Sequence, residues 1–152
     1  MSRGISPVVG TVLVVAITVT LAAVLAASVA GIGTPDSAPT AAFSASADAE
    51  TDRVTVTHEG GDAVVPAALS VDITVDGEPL ATQPPVPFFA AAGFRSGPTG
   101  PFNSATDDPW TAGETASLRL ASTNSPLLDA GDTVEVTLTY DRATLATVEA
   151  TA

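Results

Sequence analysis

The chain has 152 residues, 17 of them acidic against five basic, a net charge of −12 and no cysteine. That length holds one ordinary domain plus one further element. The acidity argues against a nucleic acid partner, since phosphate binding needs clustered Lys and Arg, and the missing cysteines exclude disulfides and thiolate chemistry.

Charge is unevenly placed. No charged residue lies between Arg3 and Asp36, and every acidic residue lies from Asp36 onward. A charge-free block followed by an acidic one reads as a membrane segment plus an exported domain. All five basic residues are Arg. A Lys-free acidic surface suits very high salt, where the Debye length is about 3 Å and self-repulsion is screened. A halophilic source is therefore expected, with a plain acidic domain as the alternative.

The first element is the run Ile5 to Ile32, 28 residues without a charge. As a helix it spans roughly 40 Å, more than the ~30 Å hydrocarbon core requires, and Val8 to Val29 alone suffices. Val12, Val14, Val15, Ile17, Thr18, Val19 and Thr20 are β-branched. They disfavour helix in water, but lipid offers the backbone no other partner, so a helix is predicted. Ser6 and Pro7 are placed as N-cap and first helical residue; Gly31, Gly33 and Pro35 are placed as its stop. Arg3 keeps the N-terminal end inside and sends the acidic remainder out. The apolar run is about twice as long as the 7–15 residues of a secretory signal core. Cleavage near Ala26, Ala27 and Ala30 and an uncleaved single-span anchor both stay open. Small residues recur at four-residue spacing, Thr18, Ala22, Ala26 and Ala30 in one row and Ala23, Ala27 and Gly31 in another. Such rows let helix backbones approach closely, although Ala is frequent throughout the chain.

A linker is expected over 34–40, with Pro35, Asp36, Ser37 and Pro39. Short alternating runs follow: Ala42 to Ala47 and Arg53 to His58 joined by Ala49–Asp52, then a turn at Glu59–Asp62. Leu69 to Val75 leads into the hairpin signal Asp76-Gly77. Ala116 to Leu120, Thr133 to Tyr140 and Thr144 to Ala150 complete the set, with Asp141–Ala143 linking the last two. Six or seven short strands over 41–152 predict a small all-β, β-sandwich-like domain behind the helix. Between them, 83–113 is a Pro- and Gly-rich loop holding Phe88, Phe89, Phe94, Phe102 and Trp110. Those rings are either a contact surface or a lid folded over the sheet as core.

Candidate sites are few. His58, the lone histidine, is read as a polar strand end. Asp72–Gly77 lacks the third- and twelfth-position ligands of a calcium loop and is read as strand and turn. Asp107 and Asp108 are read as a solvated loop. Asn103 and Asn124 stand outside glycosylation sequons, because Ala105 and Pro126 break them. No nucleophile triad, phosphate loop or zinc spacing appears, so no catalytic residue, metal or cofactor is expected.

The stretch Arg3 to Leu25 resembles the N-terminal region of archaeal type IV pilins, haloarchaeal members in particular. The matching features are a basic residue and Gly (Arg3, Gly4), the opening Ser6-Pro7-Val8-Val9-Gly10, and the long apolar helix. Phe43 to Val75, with Val56–Asp62, also looks like outer domains of that group. The resemblance implies that residues 1–4 are a leader removed by a membrane prepilin peptidase between Gly4 and Ile5. It implies that 5–33 forms the membrane and filament-core helix. It also implies partners: other pilins or further copies of the chain, an assembly ATPase, a membrane platform protein, and lipid before assembly. The implied role is a structural, non-enzymatic subunit of an adhesive surface filament, in the membrane first and outside the cell afterwards. The acidic residue that bacterial pilins carry at the fifth helix position is Val9 here. The class-distinct alternative is a permanently anchored surface protein whose β domain binds a ligand or polymer.

Overall fold

The computed structural model describes residues 5–31 and 37–152. The chain divides into two compact units between Ser37 and Ala38. The first contains α1, Ile5–Ala30. Ser6 and Pro7 lie in its first turn, so the helix starts two residues before Pro7, the start that would make Ser6 its cap. The Gly31 amide bonds back to the Ala27 carbonyl at 3.1 Å and closes the last turn. Gly33 and Pro35, the other expected stop residues, lie outside the described residues.

The second unit is the expected small β domain. Its strands are β1 (Ala41–Asp48), β2 (Arg53–Gly61), β3 (Leu69–Val75), β4 (Glu78–Pro79), β5 (Thr115–Arg119), β6 (Thr133–Tyr140) and β7 (Ala143–Thr151). All pairings are antiparallel, in one sheet of order β1-β2-β5 and another of order β4-β3-β6-β7. Alternation decides which side chains go inward. Val54 and Val56 of β2 and Ala116 and Leu118 of β5 share one buried cluster with Val71, Ile73, Val134, Val136 and Leu138 of the other sheet.

Turn chemistry fixes the registers. Asp76 and Gly77 both have positive φ (50° and 80°), which a two-residue hairpin turn requires. Asp76 also accepts the Thr133 amide at 2.8 Å, tying that turn to the start of β6. Asp141 and Arg142 join β6 to β7 with φ of 45° and 73°, although neither is glycine. Only two residues of β4 pair with β3. Beyond it, the Gln83 amide pairs with both backbone groups of Ile73, at 2.8 and 2.9 Å, as a neighbouring strand would.

Two expectations on β2 are corrected. Glu59–Gly61 is not a turn: the strand runs through it, with a bulge in the ladder opposite Ala42 and Phe43. Gly61 has φ of 101°, and a Cβ there would lie 2.3 Å from the Thr40 carbonyl oxygen, so only glycine lets the two segments meet. His58 is not a polar strand end but is fully buried. It continues the inward alternation of Val54 and Val56, packs edge-on to Phe43 at 4.8 Å between ring centres, and bonds through Nε2 to the Asp62 carbonyl.

Candidate functional site

The 83–113 loop turns four of its five aromatic rings inward, although about half of its residues are exposed. Phe88, Phe94, Phe102 and Trp110 are buried, which corrects the contact-surface expectation for those four rings. Isolated bridges draw them in: Val64 with Trp110, Phe88 with Asn103, and Phe94 with Leu120. Trp110 packs on Phe43 at 5.0 Å and Phe102 at 5.6 Å, and its indole N–H reaches the Glu114 carbonyl at 2.9 Å. A cysteine-free domain needs such ring area to bury. Phe89 alone of the five remains open, at 60% exposure.

Polar staples hold the loop. Buried Asn124 accepts the Thr82 and Ser125 amides and donates to the Thr82 and Gly93 carbonyls. The Thr111 amide and hydroxyl both donate to the Glu114 carboxylate, at 2.7 and 2.9 Å, and hold its pKa below the ordinary value. Asp72–Gly77 is strand and turn, as its sequence reads. Among the described residues no three His, Asp or Glu are grouped to hold a metal ion.

The unusual surface is α1. It is long and apolar enough to cross a membrane. Twelve large apolar side chains, from Val8 to Val29, stand exposed around it, each at least half open. A helix that is apolar on every side belongs in lipid or inside a protein bundle. Its hydroxyls fit that environment. Thr11, Thr18, Thr20 and Ser28 donate to the carbonyls of Pro7, Val14, Ala16 and Val24, four residues back, at 2.7–2.9 Å. Each is satisfied within the helix and asks nothing of its surroundings. Sequence reading had not assigned this role. Its signal was available, since a hydroxyl inside a long apolar helix has few acceptors besides that carbonyl.

The expected packing rows fall on this element, with Gly31 just past its last residue. Thr18, Ala22, Ala26 and Ala30 form one row and Ala23, Ala27 and Gly31 the other, all exposed. Arg3 and Gly4 lie outside the described residues. Ile5, on the other side of the expected cut, is the first residue of α1.

No curated protein matches the chain. Residues 3–43 match the model of a family described as archaeal type IV pilin, N-terminal, so the stretch that includes α1 and the start of β1 is similar to that family.

Proposed function

We propose that this protein is a non-enzymatic subunit of a type IV pilus-like surface filament. A prepilin peptidase cuts between Gly4 and Ile5, and Arg3, Gly4 and Ile5 are its recognition residues. The mature chain is then held in the membrane by α1, with its β domain outside. An assembly ATPase and a membrane platform protein move it into a filament of identical or related subunits, where the outer domains serve surface attachment.

One observation carries this reading: α1 exposes apolar side chains on every side and keeps the hydroxyls of Thr11, Thr18, Thr20 and Ser28 bonded to its own backbone. Fully burying one Val or Leu is worth about 1.5–3 kcal/mol relative to water, so α1 cannot enter water alone. It can exchange lipid for a bundle of like helices. That exchange gains little hydrophobic energy, because lipid tails are as apolar as Leu. Close approach along the small-residue rows supplies packing in its place. The family match over residues 3–43 supports the same role.

The test is Gly4→Val. The wild type should lose Met1 to Gly4, and the variant should keep them and yield no fibres, because the larger side chain obstructs the cut. Normal processing of Gly4→Val contradicts the proposal. A wild type that keeps its whole N-terminus indicates a permanent single-span anchor, and loss of the entire helix indicates ordinary secretion.

A further inference from the structure

The β domain has four arginines, and three of them meet on one face. Arg53 of β2 pairs directly with Arg119 of β5, and the Arg95 amide donates to the Arg119 carbonyl at 2.9 Å. Directly opposed residues share a face, and Arg53 is exposed beside inward Val54, so the row lies on the outer side of the three-stranded sheet. Like charges placed opposite each other destabilise a sheet. The row's one carboxylate is Asp48, across from Arg53, and it accepts the Glu50 amide. Three positive charges against one negative leave this row at plus two, in a chain of net charge −12.

The row borders a recess of ≈150 Å³ lined by Arg53, Arg95, Arg119, Thr99 and Ser117. Arg119 donates Nε to the Thr51 carbonyl, the one hydrogen bond these three guanidinium groups make among the described residues. The rest of their donors are open. The Thr99 and Ser117 hydroxyls bond each other at 2.7 Å. Two hydroxyls sharing one hydrogen bond leave one O–H over, whichever of them donates. Pro98 and Leu118 complete part of its wall, and the polar part of the lining presents donors with a positive field, which selects an oxyanion.

One feature extends the match from an anion to a sugar that carries one. Ser46, Thr55 and Ser117 form a hydroxyl row beside the arginine row on the same face, and hydroxyls flanking a cationic row suit a ligand whose own hydroxyls flank a charged group. We propose that this outer face binds an acidic saccharide, a uronic acid or sulfated sugar, through its carboxylate or sulfate. The inference stands whether or not the chain forms filaments.

The experiment titrates the full-length protein in detergent with sodium glucuronate, with glucose and sodium sulfate in parallel. The arginine Nε–H signals are followed by NMR; the chain has only five arginines. Glucuronate should shift Arg53, Arg95 and Arg119 and leave Arg142 unmoved. Glucose should shift none, and sulfate should act more weakly than glucuronate. Arg95→Gln and Arg53→Gln should each weaken glucuronate binding about tenfold, the worth of one charge-assisted hydrogen bond, with thermal unfolding unchanged. The proposal is overturned if glucuronate moves nothing, or if glucose matches it. It is also overturned if sulfate binds as tightly, which marks a site for free anions only. Signals that move with protein concentration alone would assign the recess to carboxylates of another copy.

Discussion

The two units of this chain treat apolar surface in opposite ways. The β domain buries nineteen hydrophobic residues in a core of its own, whereas α1 leaves twelve large ones open. Their polar groups divide similarly. Buried polar atoms of the domain are tied over long chain separations, as Asn124 is to Thr82 and Gly93, and Thr51 Oγ1 and His58 Nδ1 find no partner among the described residues. In α1 the hydroxyl bonds all reach back four residues. The domain thus supplies its own interior, and the helix is finished only by surroundings that another molecule provides. Substitutions should therefore separate cleanly: the domain answers in folding stability, the helix in insertion and assembly.

The largest effect should come from the domain's central ring. Trp110→Ala removes contacts with Phe43 and Phe102 and should cost about 3–5 kcal/mol in denaturant unfolding of the β domain. Insertion of α1 should not change. If it does, the two units are not separable. The converse substitution is Val19→Asp, at a side chain 62% exposed in mid-helix. A carboxylate there costs about 2.5–3.5 kcal/mol on insertion, so membrane recovery and fibre yield should fall. The unfolding midpoint of the β domain should stay put, and a matching drop would break the comparison.

A smaller change goes the other way. Arg142 sits at φ of 73°, a conformation that favours glycine. Arg142→Gly relieves that strain but adds freedom to the unfolded chain, and the relief should win by about 0.5–1 kcal/mol, read as a raised melting temperature. The smallest effect concerns pH. The Thr111 donors lower the Glu114 pKa, so their support is present above the ordinary carboxylate range and lost as pH falls through the lowered value. Glu114→Gln should lower the neutral plateau of a stability–pH curve slightly and flatten its acid limb, meeting the wild type at low pH.

Much of this division is readable along the chain. A run without charge and a set of period-2 strands each announce themselves within a few residues, as do Asp76-Gly77 and the Asp141–Ala143 link. His58 was legible too, because the alternation that buries Val54 and Val56 carries straight on to it. What local pattern could not show is long-range. The turn expected at Glu59–Asp62 depended on Thr40, some twenty residues earlier, holding Asp62 at both its amide and its carboxylate. Which loop rings turn inward depended on bridges to Val64, Asn103 and Leu120. The arginine face had no local signal at all, since Arg53 meets Arg119 through strand register and Arg95 joins them from the loop through the bridge of Phe94 to Leu120.

The most direct measurement is the intact mass of this polypeptide taken from sheared and purified surface fibres. The mass predicted is that of the chain beginning at Ile5, with α1 retained. Fibres without the polypeptide, together with full-length protein found only in detergent-extracted membrane, would contradict a helix that leaves lipid for a bundle of its own kind.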